Sequence, residues 1–406
     1  MSWLEEFDGR LADLEARALR RQRREVRPEA AGCLNVDGQS LLAFCNNDYL
    51  GLAQHPALKA AVHAAVLAYG VGAGASPMVS GHSAANAALE LELAAAVQLP
   101  RALYFYAGYA THASIVPALV GAGDAVFSDA LNHACLIDGA RLARAEVHRY
   151  GHADLAQLGQ QLAASPARRK LVMSDAVFSM DGTVASISGL LALCETHDAL
   201  LLLDDAHGFG VLGPQGRGAL AAAGLVGACA SPRVLYMATL GKALGVAGAF
   251  VAGPDMLVEW LLQKTRSYTY ATAAPPLLAE AVRAGLRCVL GDEGERRRQH
   301  LHVLVAQLRA GLAPGADAAI DAAGWRLMPS HTAIQPLLIG DNAAALALMA
   351  RLREQGLWVP AIRPPTVPAG TARLRISLSA AHPAQAVDVL LQALRRAARD
   401  GAALRA

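Results

Sequence analysis

Lysine is almost missing from this chain of 406 residues: it occurs only at Lys59, Lys170, Lys242 and Lys264. The other basic residues are arginine, and the formal net charge is only +2. So small a charge argues against a nucleic-acid partner. Charged residues make up 17% of the chain and apolar ones 54%, a balance that excludes disorder and suits a globular core. Cysteine is sparse and scattered, at Cys33, Cys45, Cys135, Cys194, Cys229 and Cys288. With no CxxC pair and no metal-ligand spacing, neither a disulfide framework nor a metal site is expected. The thiols read as reduced, mostly buried hydrophobes of a cytoplasmic protein. The N-terminus is amphipathic and charged and lacks the apolar core of a signal peptide. The long uncharged run from Ala102 to Gly123 is broken by Gly108, Thr111, His112, Ser114 and Pro117, so no membrane span is expected.

What is present is an alternation of helical patterns with short apolar runs. Glu5 to Arg24 reads as a surface helix with Leu11, Leu14 and Leu19 on one face, and Ser40 to Leu52 as a strand-like stretch. The runs ALYFY, AVFS, KLVMSDAVFS, ALLLLDD, VLYMATLG and GAFVAG follow between Ala102 and Gly253. They are apolar on both alternating faces, as strands of a mostly parallel sheet covered by helices should be. From about Asp292 a charged helix and the shorter strands AIQPLLIG, GLWVPAI and ARLRISL suggest a smaller α+β domain. The expected division is an N-terminal helix and strand over residues 1–50, a large α/β domain over 51–290 and a small domain over 291–406.

Two local signals carry chemistry. Asp204-Asp205-Ala206-His207 ends an apolar strand, which is where α/β sheets bind ligands; in isolation the same residues could be a helix cap or a surface ion pair. Thr239-Leu240-Gly241-Lys242 ends another, and no acid lies within ten residues of Lys242 on either side. A lysine in that setting should have a lowered pKa, the condition for an amine that forms Schiff bases. Pyridoxal phosphate needs a lysine for its aldehyde, an acid for its ring nitrogen and a phosphate site. Gly108 and Tyr109, between a strand and a helix, could supply the last through backbone N–H groups. Ser179 and His133 also follow strands and could reach the same face, or could be caps or satisfied core groups.

The segments NDYLGL, SDALNHACLIDGAR, FSMDG, DDAHGFGVLGPQGRG and TLGKALGVAGAF resemble the α-oxoamine synthase family of type I pyridoxal-phosphate enzymes. The C-terminal AIRPPTVPAGTARLRISLSAAH, the opening MSW and the ALRRQRREV stretch are similar to the biotin-biosynthesis branch, which joins L-alanine to a pimeloyl thioester. The resemblance runs from the first residues to about Leu394. It implies a type I pyridoxal-phosphate transferase fold and a homodimer with the cofactor at its interface.

Carried over by position, the resemblance makes Lys242 the Schiff-base lysine and the acid–base group at the α-carbon. Asp204 would pair with the ring nitrogen, His207 and Ser179 with the phenolic oxygen, and His133 would stack on the ring. Gly108, Tyr109 and Thr239 would hold the phosphate. Arg363 would bind the amino-acid carboxylate with Thr366 beside the substrate, and Arg21 would sit near the acyl group. The acyl carrier, coenzyme A or a carrier protein, leaves no local motif. The chain departs from the family pattern in AGASPMVSGH at Ala73 to His82, in Thr183 after FSMDG, in Ser186-Ile187-Ser188 and in Asn86. None of these removes a group that the chemistry needs. The rival readings are another branch of the family, such as glycine C-acetyltransferase, and a non-catalytic partner subunit, which the presence of Lys242, Asp204, His207 and His133 disfavours.

Overall fold

Seven short segments form the central sheet: Arg101–Phe105, Ala125–Asp129, Glu146–Tyr150, Lys170–Asp175, Ala199–Asp204, Val234–Thr239 and Ala249–Gly253. Across the sheet they run in the order 101–105, 249–253, 234–239, 199–204, 170–175, 125–129, 146–150. Every neighbouring pair is parallel except the two made by Ala249–Gly253. Six strands therefore point their carboxyl ends to one edge, and Asp129, Asp175, Asp204 and Thr239 all end strands there. The coordinates come from a computed structural model that describes residues 2–17 and 19–403. Met1 and Ala18, which belong to the MSW and ALRRQRREV matches, lie outside the described residues.

The central strands are buried on both faces because they are apolar at nearly every position before their carboxyl ends. Leu201 and Leu203 pack into one core with Tyr236, Phe127 and Val172, while Leu202 packs into the other with Leu235, Met237 and Met173. Each fully buried leucine contributes roughly 1.5–3 kcal/mol of transfer free energy. Glu146–Tyr150 was not anticipated. It is an edge strand whose residues are mostly exposed, so it lacks the apolar run that marks the others.

Two expected elements are shorter in the structure. The N-terminal helix spans Trp3–Ala16, not Glu5 to Arg24, and begins at a capping box of Ser2 and Glu5. Arg17 and Arg20 reach back to Asp13 and Glu15. A longer helix would stack Arg17, Arg20, Arg21 and Arg24 at like-charge spacings with no further acids to separate them. In the Ser40 to Leu52 stretch only Gln39–Ala43 is a strand, and the rest is a loop closed by Asp48, whose carboxylate accepts from the N–H groups of Leu52 and Ala53.

The α+β portion is layered on two further sheets. Val26–Pro28, Cys33–Val36 and Gln39–Ala43 are joined by the parallel Leu357–Trp358, so the first fifty residues share a sheet with the C-terminal region. Arg326–Leu327, Ile334–Gly340, Ala372–Ser377 and Ala361–Ile362 make the other. Among the described residues no helix is long and apolar enough to cross a membrane.

Asp205, next to the strand end, is structural. Its Oδ2 accepts from the Ala219 N–H at 2.6 Å and from the Tyr236 hydroxyl at 2.7 Å. It thereby ties the loop after the strand back to the sheet. Gly218 in that loop has φ +98°, and a Cβ there would run into Tyr236 Oη and Asp205 Oδ2. Gly218→Ala should therefore lower stability by roughly 2 kcal/mol or more, read as a fall in the denaturant midpoint. An unchanged midpoint would show that the loop is not held this way.

Candidate active site

Lys242 lies in the turn after Val234–Thr239, and its half-buried amine meets His207 Nε2 at 2.8 Å. The other ring nitrogen of His207 meets the Tyr49 hydroxyl at 2.6 Å. Burial, then the Lys242 charge, holds the His207 pKa well below its ordinary value, so this imidazole is neutral. Burial also pushes the Lys242 amine down to about 8, against the opposing pull of Asp204 and Asp175. At pH 7 about a tenth of such an amine is neutral, against well under a thousandth for an ordinary lysine.

Asp204, buried at the end of its strand, accepts from the Ala206 N–H at 2.9 Å through Oδ1. Asp175 ends the neighbouring strand in register with it. Its Oδ2 accepts from the His133 N–H at 2.6 Å, and burial with the Asp204 charge raises its pKa well above the carboxylate range. His133 caps the helix Ala134–Ala143, its Nδ1 accepting from the Cys135 N–H, and its ring is exposed at the mouth of the site.

Two of the phosphate candidates, Gly108 and Thr239, lie close together. The helix Gly108–Leu119 starts with no side-chain cap, which leaves first-turn N–H groups available. Gly108 lies against Thr239: a Cβ there would sit 3.7 Å from Thr239 Oγ1 and 3.4 Å from Met237 Cε. Thr239 donates to the Gly248 carbonyl at 3.0 Å and accepts from the Gly241 N–H at 3.3 Å, which fixes the hydroxyl in the Lys242 turn. Tyr109 is exposed and its hydroxyl donates to Asp138. An amine, a buried carboxylate and an uncapped helix start on one sheet edge fit the aldehyde, ring nitrogen and phosphate of pyridoxal phosphate.

The remaining expected residues line a cleft of about 1330 Å³ beside the N-terminal helix, with Arg21, Arg363 and Thr366 on its wall. Arg21 reaches the Thr366 hydroxyl at 3.5 Å. Leu14, Met349 and Ile362 give the same cleft apolar surface.

Sequence reasoning missed several groups. Arg375 is buried, donates to the Ser179 carbonyl at 2.5 Å and to Asn47 Oδ1 at 3.3 Å, and lies near enough to lower the pKa of both Lys242 and His207. Tyr49 and Asn47 sit in NDYLGL, and Arg375 sits in ARLRISL. Those segments were recognised as motifs without a role for these side chains.

Residues 39–394 match the family of class I and II aminotransferases. A protein of Delftia acidovorans named 8-amino-7-oxononanoate synthase is 68% identical over 402 residues, covering 98% of each chain. Another from Polaromonas, 8-amino-7-oxononanoate synthase 1, is 67% identical over 400 residues, covering 98% of this chain and 97% of its own. The chain belongs to the 8-amino-7-oxononanoate synthases. Among solved structures, a serine palmitoyltransferase of S. paucimobilis, with a bound PLP–myriocin aldimine, has TM-score 0.89 at 26% identity, covering 98% of this chain and 99% of its own. An 8-amino-7-oxononanoate synthase of Francisella tularensis has TM-score 0.74 at 26% identity, covering 90% of this chain and 99% of its own. The type I pyridoxal-phosphate transferase fold expected from the motifs is thus the fold observed.

For a member of this synthase family, the position of the reactive lysine is directly testable. Borohydride reduction of the cofactor-loaded protein followed by peptide mapping should place the pyridoxyl group on Lys242. Recovery on Lys59, Lys170 or Lys264 would contradict the site.

Proposed function

We propose that this chain uses pyridoxal phosphate, held on Lys242, to condense L-alanine with a pimeloyl thioester. The products are 8-amino-7-oxononanoate, carbon dioxide and the free thiol. The observation that carries this reading is the full-length identity to the synthases, up to 68%, in a chain whose Lys242, His207 and Asp204 meet at one strand edge.

When bound, pyridoxal phosphate supplies a carbonyl for the amine and an electron sink for a negative charge at the amino-acid α-carbon. The protein's residues do the rest. Asp204, a buried carboxylate, keeps a proton on the ring nitrogen. Lys242, whose amine has a lowered pKa, would take the α-proton of alanine. His207, kept neutral and oriented by Tyr49, would hold the phenolic oxygen together with Ser179. His133 would cover the ring, its position set by the N–H bond to Asp175. Gly108, Tyr109 and Thr239 would hold the phosphate. Arg363 would bind the alanine carboxylate, and the buried Arg375 is the second guanidinium group that could do so. The cleft with Arg21 and Thr366 takes the acyl group, whose carrier is either coenzyme A or an acyl-carrier protein.

A homodimer is part of the proposal. Val71, Val79 and Tyr270 are 72–81% exposed, and the Ala273 N–H to Ala75 carbonyl bond brings their segments together, giving an apolar face suited to a second copy. The cytoplasm is the proposed location. All six cysteines are free, which suits that reducing compartment.

A steady-state matrix of amino acids and acyl thioesters tests the assignment. L-alanine should be preferred over glycine and L-serine, and pimeloyl over acetyl, succinyl or palmitoyl groups, with the two carriers compared side by side. Glycine with a short acyl group as the preferred pair would overturn it. Arg363→Ala and Arg375→Ala should each lower kcat/KM for alanine, by roughly a hundredfold for whichever arginine holds the carboxylate. A fall in melting temperature with alanine KM unchanged in both variants would assign them to bracing alone. Asp204→Asn should bind cofactor more weakly and lose most turnover. Near-normal turnover would remove Asp204 from the mechanism.

A further inference from the structure

His112 has no role in the account above, yet it is fully buried behind the cofactor site. It projects from the helix Gly108–Leu119, whose first turn faces the phosphate position. Its Nε2 lies 3.4 Å from Asp204 Oδ2, a contact not yet aligned as a hydrogen bond, and it makes no other. Its Nδ1 lies 3.4 Å from Cys135 Sγ. The helix Ala134–Ala143 locks this arrangement from behind, since a Cβ on Gly139 would sit only 2.7 Å from the His112 carbonyl oxygen.

The protons in this cluster follow from its surroundings. Burial lowers the His112 pKa despite the opposing pull of Asp204, so the ring is neutral and carries one hydrogen. Burial and the same carboxylate push the Cys135 thiol far up, so it keeps its S–H. His133 Nδ1 already accepts from the Cys135 backbone N–H. Cys135 Sγ lies 2.9 Å from His133 Nδ1 and 3.4 Å from His112 Nδ1, and a ring hydrogen on His112 Nε2 would face the Asp204 carboxylate. The other tautomer would set a bare nitrogen lone pair against a carboxylate in a dry pocket.

We propose that His112 is a positioning residue for Asp204, its Nε2–H holding Oδ2 while the Ala206 N–H holds Oδ1. The carboxylate is thereby fixed in orientation toward the cofactor ring. The proposal rests on the reading that Asp204 pairs with the ring nitrogen. Its consequence is that turnover depends on a side chain that touches neither cofactor nor substrate.

The test uses the full-length, cofactor-loaded protein. Nitrogen-15 NMR of its histidines should assign His112 to the Nε2–H tautomer; an Nδ1–H tautomer overturns the proposal whether or not any variant folds. His112→Leu should weaken cofactor affinity and lower kcat, each about tenfold, with alanine KM within twofold of the parent. His112→Gln places an amide donor near the Nε2 position and should recover most of both losses. Equal impairment of the two variants, or cofactor affinity and kcat within twofold in His112→Leu, would overturn it. Failure of the underlying reading looks different: Asp204→Asn would keep its cofactor affinity and turnover while His112 retained the Nε2–H tautomer.

Discussion

An ammonium group moved out of water loses hydration that neighbouring dipoles replace only in part, so it gives up its proton more readily. The site depends on this constraint at Lys242. Its amine meets a neutral imidazole, His207, and among the described residues no direct ion pair restores the charge. Asp204 and Asp175 raise its pKa from further off, and burial outweighs them, leaving the amine near 8. Carboxylates close enough to orient the site, yet not bonded to the lysine, are what a reactive amine requires.

The sheet makes that arrangement possible. Parallel strands bring the ends of Lys170–Asp175, Ala199–Asp204 and Val234–Thr239 side by side in register. Asp175 and Asp204 therefore sit at matched positions, and the Lys242 turn follows on the adjacent strand. Their charges would repel, and each is answered locally. The His133 N–H donates to Asp175, and the Ala206 N–H donates to Asp204. Asp205 turns away to the Tyr236 hydroxyl and braces the following loop. Two consecutive aspartates thus hold separate positions, one facing the cofactor site and one facing the core.

Much of this was legible in the sequence because it is local. Asp204 and Lys242 each end an uninterrupted apolar run, and an acid-free neighbourhood marked the lysine. Gly108 and Thr239 were legible for the same reason, lying where strands give way to turns. What was missed depends on contacts between distant segments. Asn47 and Arg375 meet across 328 residues, and Tyr49 reaches His207 across 158. No spacing pattern reports such pairs. His112 was hidden differently, in a helix whose polar residues suggested only that the segment was not a membrane span. The edge strand Glu146–Tyr150 and the early end of the first helix were missed because solvent and like-charge repulsion, rather than apolar periodicity, decide them.

The amine of Lys242 is where the account is most exposed. After removal of the cofactor, the rate of acylation at each of the four lysines can be followed across pH by peptide mass spectrometry. The account predicts a half-maximal rate at Lys242 near pH 8, well below the ordinary lysine range. A Lys242 profile that coincides with the other three would contradict it.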